Sequence, residues 1–295
     1  MAIHEPVLVA ETLEWLAPAR GGTFLDCTVG LGGHARALLE AGAGRVIGLD
    51  RDRDALARAR EALAPWAERV DLAHADYRDA PAVLAARGVE VVDGALADLG
   101  VSSLQLDDET RGFSFRLDAP LDMRMDRSTG PTAAELLRTV SEAELADVIF
   151  RCGEERHARR IARAVVHTRR LAPIETTGEL ASLVRRAVPH RGWQRIDPAT
   201  RTFQALRIWV NRELDGLDRF LADVARLLRA GARLVVIAFH SLEDRIVKHT
   251  FRALEAGGEI ALRILTRRPV VPGAAEIARN PRARSAKLRA AERLA

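Results

Sequence analysis

The stretch Asp26-Cys27-Thr28-Val29-Gly30-Leu31-Gly32-Gly33-His34 constrains this chain more than any other, because it lies between an apolar run at 23–26 and a helical pattern at about 35–39. Glycines in a strand-to-helix turn let the backbone bend tightly and come close to a ligand, as a nucleotide-binding loop must. The alternation continues downstream, where apolar strands are predicted at 45–49, 70–74 and 91–97 and helices at about 53–63 and 80–86. A short amphipathic helix is predicted ahead of them at 7–16. Buried strands alternating with helices make an α/β fold with a parallel, doubly wound sheet, whose ligand sits at the carboxyl ends of the strands.

That rhythm stops after about Gln105. From 132 to 188 the pattern is helical throughout, and Ser141 to Glu144 and Thr176 to Glu179 both fit the capping box. A long helical run is expected from 198 to 228, followed by strand candidates at 233–239 and 259–265. A chain of 295 residues exceeds a typical single domain. The simplest organisation is an α/β domain in two parts, 1–107 and 210–295, with a helical substrate-recognition domain inserted at 108–209.

Charge and apolar content narrow the classes. With 48% hydrophobic and 29% charged residues the chain is neither disordered nor membrane-embedded in composition, and no apolar run approaches the length of a bilayer span. No signal segment opens the sequence, and two cysteines, Cys27 and Cys152, make no disulfide framework, so a reducing cytoplasm is expected. The net charge of +4 is carried mostly by arginine, concentrated at 151–170 and 279–289, which suits phosphate recognition; a solvated face is the plainer account of such a helix.

Within the turn, Gly30-x-Gly32-x-x-Ala35 also satisfies the loose dinucleotide fingerprint, and Asp50 stands at the distance of a ribose-binding acid, so a nicotinamide-dependent oxidoreductase enters as an alternative. Asp26 argues against it. A carboxylate beside a pyrophosphate is repelled, whereas a sulfonium ligand bearing an ammonium group accepts one. Asp50 can take hydrogen bonds from both ribose hydroxyls while Asp52 caps the following helix, and Tyr77 can cover an adenine face. Asp98-Leu99-Gly100-Val101-Ser102-Ser103 closes the fourth strand beside the expected crevice. His240 follows a later strand as an isolated histidine, and the eight histidines lack metal-ligand spacing, so no metal is expected.

Taken with these segments, His4-Glu5-Pro6-Val7-Leu8, Gly112-Phe113-Ser114-Phe115, Leu121 to Met125, Pro198 to Ile208, Phe239 to Asp244 and Asn280 to Arg289 make the whole chain resemble the bacterial 16S ribosomal RNA cytosine N4-methyltransferase family, RsmH or MraW. The resemblance implies a Rossmann-like class I methyltransferase sheet with an inserted all-helical domain, S-adenosylmethionine as cofactor, and methylation of a cytidine amine in small-subunit ribosomal RNA. It carries cofactor contacts onto Gly32, Gly33, His34, Asp50, Tyr77, Asp98 and Gln105. Tyr77 stands where relatives often have phenylalanine, and Leu104 where they often have proline. Asp98, with Ser102 or Ser103, is the expected catalytic group, and Phe113 and Phe115 are candidates to pack on an extruded base, with ordinary core roles as the alternative. A noncatalytic RNA-binding or assembly protein retaining the pocket is the reading from another class.

Overall fold

The computed structural model describes residues 6–189, 196–257 and 260–295, in two compact units: Met1–Gly100 with Leu214–Ala295, and Val101–Glu213. The first unit opens with α1 (Val9–Leu16), β1 (Thr23–Asp26), α2 (Gly33–Glu40), β2 (Arg45–Asp50), α3 (Arg53–Ala62), β3 (Val70–His74), α4 (Ala80–Ala85) and β4 (Val92–Asp98). The second unit holds α5 (Ser103–Asp107), α6 (Ala133–Thr139), α7 (Glu142–Gly153), α8 (Ala158–Thr168), α9 (Thr177–Ala187) and α10 (Ala199–Asn211). The chain then rejoins the first unit through α11 (Leu217–Leu227), β5 (Leu228–Ala238), α12 (Ser241–Glu255), β6 (Leu262–Ile264), α13 (Ala274–Arg279) and β7 (Lys287–Arg293).

Seven strands form one sheet in the order β3-β2-β1-β4-β5-β7-β6, the Rossmann-like α/β class expected. β1 pairs in parallel with β2 and β4, so that Leu25 lies opposite both Ile47 and Ala95. Successive side chains leave a strand on opposite faces. Phe24, Val46, Leu96, Val235 and Ile237 therefore pack on one side with Leu16, Leu38 and Leu56 of α1, α2 and α3. Leu25, Ile47, Ala95 and Val236 pack on the other with Leu84, Phe220 and Phe251 of α4, α11 and α12. Burial on both faces is why these strands read as continuous apolar runs in the sequence.

β7 escapes the sequence pattern. Residues 287–289 read as the end of the basic 279–289 tail, yet 287–293 form the antiparallel strand between β5 and β6, with Val235 opposite Ala290 and Arg263 opposite Glu292. Its charges are neutralised in place rather than solvated. Arg289 donates to Asp244 at 2.6 Å, and Glu292 accepts from Arg233 at 3.0 Å and Arg263 at 2.6 Å. The strand candidate at 259–265 shortens to Leu262–Ile264, and Glu259 lies outside the described residues.

The expected helical run from 198 to 228 is also broken in two. Arg212 adopts φ 52° after α10 and Gly216 φ 67° before α11, a left-handed backbone that no helix interior accommodates. Arg207 pairs with Glu213 through bonds of 2.9 and 2.8 Å, which keeps the end of α10 within the helical unit. The two compact units divide after Gly100 and after Glu213, with α5 in the helical one. Of the two capping boxes, Thr176 and Glu179 make the reciprocal pair at α9, whereas Ser141 supplies only its hydroxyl to Glu144 at α7.

Within the helical unit, α7, α8, α9 and α10 bury Leu145, Ile149, Ile161, Val165, Leu180, Val184, Phe203 and Leu206 in one core. The irregular loop ahead of α6 is tied down by polar groups instead. Gly112 has φ 71°, and a Cβ there would lie 2.4 Å from the Pro120 carbonyl, so only glycine fits. Asn211 at the end of α10 accepts from Met125 N–H and donates to the Met123 carbonyl, both at 2.7 Å, while Met123 itself has φ 64°. Replacing Asn211 by alanine strands two buried backbone groups; it should cost about 2 to 3 kcal/mol of stability, read from urea unfolding of the whole chain. Unchanged unfolding would show that this loop does not depend on the asparagine.

Candidate active site

Three aspartates end adjacent parallel strands of the sheet unit: Asp26 on β1, Asp50 on β2 and Asp98 on β4. The turn leaving β1 is bonded to both neighbours. Gly30 N–H donates to Asp50 Oδ2 at 2.8 Å, and the Asp98 N–H donates to the Thr28 hydroxyl at 2.7 Å. Gly30 and Gly32 take φ 52° and 84°, and Gly32 serves as the residue before α2 without a side-chain cap. At Gly33 a Cβ would meet Pro6 Cγ at 2.8 Å, so the second glycine of that pair is needed for close packing. Asp50 completes its own turn by accepting from Asp52 N–H at 2.8 Å, and Asp52 caps α3 through Asp54 N–H, as its position in the sequence suggested.

His34, in the first turn of α2, is buried, and its Nε2 lies 3.5 Å from Asp98 Oδ2. That separation is too long for a well-formed hydrogen bond. Among the described residues neither ring nitrogen of His34 has a hydrogen-bond partner, nor does Asp26 Oδ2 or Asp98 Oδ1. Four buried polar atoms with unused capacity, concentrated in one place, form a site built for something else to satisfy.

The electrostatics agree. Burial pushes the Asp26 carboxyl up to about 7, against the opposing pull of His34 and the Thr28 N–H, with Asp98 and Asp50 adding to the rise. Burial likewise raises Asp50 to about 6 despite its two backbone donors. For His34 burial lowers the pKa, but the hydrogen-bonding and charge effects of Asp98 and the charge of Asp26 outweigh it, and it stands above the ordinary histidine value. A cationic ligand would relieve the crowding of carboxylates, and an anionic pyrophosphate would worsen it.

Tyr77 follows β3 in a short turn capped by Asp76, which accepts from Arg78 N–H at 3.0 Å and Arg78 Nε at 2.7 Å. Its ring packs against Phe220 with centroids 4.5 Å apart, so one face is already committed to the core. Thr28 was not singled out from the sequence, although its hydroxyl, together with the Cys27 N–H on the Leu96 carbonyl, joins the β1 turn to β4; nothing but its place between Asp26 and Gly30 signals that role. His240 caps a helix. It precedes α12, its Nδ1 accepts from Glu243 N–H, and Glu243 Oε1 lies 3.1 Å from its Nε2.

In the helical unit, Ser102, Ser103 and Gln105 start α5. The Ser102 hydroxyl accepts from Gln105 N–H at 3.3 Å, and Gln105 Oε1 accepts from Ser102 N–H at 3.0 Å, with Gln105 buried. Phe113 belongs to the core of this unit; Phe115 packs on Phe203 at 4.7 Å with the Arg185 guanidinium 5.7 Å from its ring. Of the basic run 151–170, Arg151 and Arg163 face Asp147 and Glu142 on the surface, while Arg169 turns inward to the Leu137 and Val140 carbonyls. In the tail, Arg289 is buried against Asp244, which removes it from any phosphate-binding set.

The whole chain, residues 1–294, matches the model of the MraW methylase family. Curated relatives include the ribosomal RNA small subunit methyltransferase H of Geotalea uraniireducens, 50% identical over 99% of this chain and 98% of that one. The protein of the same name from Geobacter sulfurreducens is 53% identical over 99% of both. A crystal structure of an rRNA methylase from Streptococcus thermophilus is similar more distantly, at 11% identity over all of both chains with a TM-score of 0.44. A match of this length and relatives of this identity leave one conclusion about descent: the chain belongs to the MraW methylase family.

Proposed function

We propose that this chain transfers the methyl group of S-adenosylmethionine to the exocyclic N4 amine of a cytidine in 16S, small-subunit, ribosomal RNA, acting in the cytoplasm. The observation that carries the reading is the pair of carboxylate oxygens on Asp26 and Asp98, without partners among the described residues, beside the glycine turn of a chain matched end to end by a methylase family. Relatives of about half identity that are named small-subunit ribosomal RNA methyltransferases support the substrate class. The choice of cytosine N4 rests on the sequence resemblance.

Bound adenosylmethionine supplies a methyl group already activated on a sulfonium, so neither a covalent nucleophile nor a metal is needed. The backbone of Gly32 and Gly33, free of side chains, admits the cofactor to the floor of the turn, beside His34. Asp50 spends one lone pair of each oxygen on Gly30 and Asp52, which leaves the others for ribose hydroxyls. Tyr77 is proposed to stack on the adenine, its ring set between Phe220 and the Arg78 guanidinium, which lies 5.5 Å from its centroid. Asp26 and Asp98 supply the negative charge that an ammonium and a sulfonium require.

A cytosine amine is a poor nucleophile because its lone pair is delocalised into the ring. Asp98 Oδ1, accepting a hydrogen from that amine, favours the rehybridised form that attacks, and orients it. Ser102 and Ser103 are the further acceptors proposed for the amine, and Gln105 is proposed to contact the cofactor. The 101–213 unit is the proposed substrate-recognition domain.

Three outcomes follow. Radiolabelled methyl transfer to small ribosomal subunits lacking the modification, followed by mass spectrometry of the nucleosides, should yield N4-methylcytidine; a methyl on carbon 5, or on adenosine, overturns the assignment. Asp98→Asn should lower kcat about 100-fold at saturating cofactor, and wild-type turnover would remove Asp98 from the chemistry. Asp26→Asn separates stability from binding. Because the folded carboxyl titrates near 7 and the unfolded one near 3.8, its contribution to stability is full below 3.8 and is lost as pH rises through 7. The asparagine should therefore raise Tm by roughly 5 °C at pH 8 and by less at pH 5, while weakening adenosylmethionine binding about tenfold by calorimetry. A Tm gain with no loss of binding would show that Asp26 does not face the cofactor.

A further inference from the structure

On the sheet unit, a cleft of about 280 Å³ opens between α12 and the strands β6 and β7. It is lined on one side by Lys248, Phe251, Arg252 and Glu255, and on the other by Ile264, Thr266, Arg267 and Arg289. Four of these eight side chains are cationic and one is anionic. Arg289 is neutralised by Asp244 at 2.6 Å, which leaves Lys248, Arg252 and Arg267. Among the described residues no hydrogen bond or ion pair joins any of these three to an acid.

The arrangement works against the fold. Lys248 and Arg252 stand four residues apart on α12, where like charges repel, and Arg267 adds a third charge from the opposite wall. Glu255, the one carboxylate among the lining residues, accepts from the Ile264 N–H at 2.9 Å and forms no ion pair among the described residues. The neutral lining is suited to an oxyanion as well. The buried Thr266 hydroxyl accepts from Ala290 N–H at 2.9 Å, so its own hydrogen is left to donate. The cleft is smaller than a pocket for a drug-sized molecule, and its polar groups come from side chains that bind anions rather than bases.

We propose that this cleft is a second anion site, which takes backbone phosphates of the RNA substrate and anchors the strand on the sheet unit at a distance from the methyl-transfer chemistry. The inference rests on the reading of the chain as an RNA methyltransferase, and it places phosphate recognition on α12 and the segment after β6 rather than on the 279–289 tail. Arg252 and Arg267 supply planar forks for phosphate oxygens, and Lys248 a point charge. Phosphate contacts of this kind position a strand without reading its sequence.

The test compares the full-length wild type with the combined variant Lys248→Ala, Arg252→Ala, Arg267→Ala, using a fluorescently labelled small-subunit ribosomal RNA fragment and methyl transfer to the same RNA. Losing three phosphate contacts should raise the RNA Kd and KM about tenfold at physiological salt and make the slope of log K against log salt shallower by about 2 to 3. Adenosylmethionine affinity should not change. The charge-keeping variant Lys248→Arg, Arg252→Lys, Arg267→Lys should restore most of the affinity, and removal of the exposed Arg58, Arg60 and Arg219 should leave the salt slope as in wild type. If the alanine variant matches wild type in KM and slope while wild type methylates the RNA, the cleft is not the phosphate site. If wild type neither binds nor methylates the RNA, the reading of the activity fails and this proposal fails with it.

Discussion

The turn that leaves β1 is tied to both neighbouring strands, on the β2 side by Gly30 N–H to Asp50 and Val29 N–H to the Leu49 carbonyl and on the β4 side by Asp98 N–H to Thr28 and Cys27 N–H to the Leu96 carbonyl, and the rest of the site depends on these bonds. Each joins the loop to the end of a neighbouring strand, so the loop cannot move without disturbing the parallel sheet. Because β2 and β4 flank β1, the carboxylates of Asp26, Asp50 and Asp98 are brought to one end of the sheet. The turn is possible because Gly30 and Gly32 take a left-handed backbone, and a Cβ at Gly32 would lie 3.1 Å from the Leu63 side chain.

Gathering these acids has an energetic cost. Asp26 is buried with one oxygen unpaired among the described residues and titrates near 7, and His34 is drawn above its usual value without a short hydrogen bond to Asp98. In a structure selected for stability alone a buried, half-satisfied polar cluster would be replaced by apolar packing. Its persistence is understandable if a positively charged ligand completes it, and this is the physical link between the glycine turn and methyl transfer from a sulfonium. Elsewhere the chain follows the opposite practice. Asp244 with Arg289, Glu292 with Arg233, and Arg207 with Glu213 pair their charges directly and serve the fold.

That contrast separates the arginines of a basic protein into two kinds. Arg169, Arg207, Arg233 and Arg289 are turned toward carbonyls or carboxylates and hold elements together. Arg252 and Arg267, with Lys248, are left facing a cleft. Composition alone could not distinguish them, since a guanidinium that closes a strand edge and one that awaits a phosphate are the same letter.

The parallel strands, the glycine turn and the helices of the 101–213 unit were legible in the sequence because each is specified locally: apolar runs by burial on both faces, the turn by glycine, the α9 start by Thr176 and Glu179. Asp26, Asp50 and Asp98 were legible because strand ends in a doubly wound sheet are where ligands lie. What local pattern could not reveal were features made by distant partners. β7 pairs between β5 and β6 with its charges met by Asp244, Arg233 and Arg263, and Thr28 reaches Asp98 because β4 lies beside β1. The break between α10 and α11 likewise depends on a left-handed Arg212, a residue type with no preference for that backbone. By itself the sequence determined the order of elements and the chemistry available to them; the tertiary structure alone decided which charges are spent on the fold and which remain for a ligand, because pairing depends on distances in space between residues far apart in the chain.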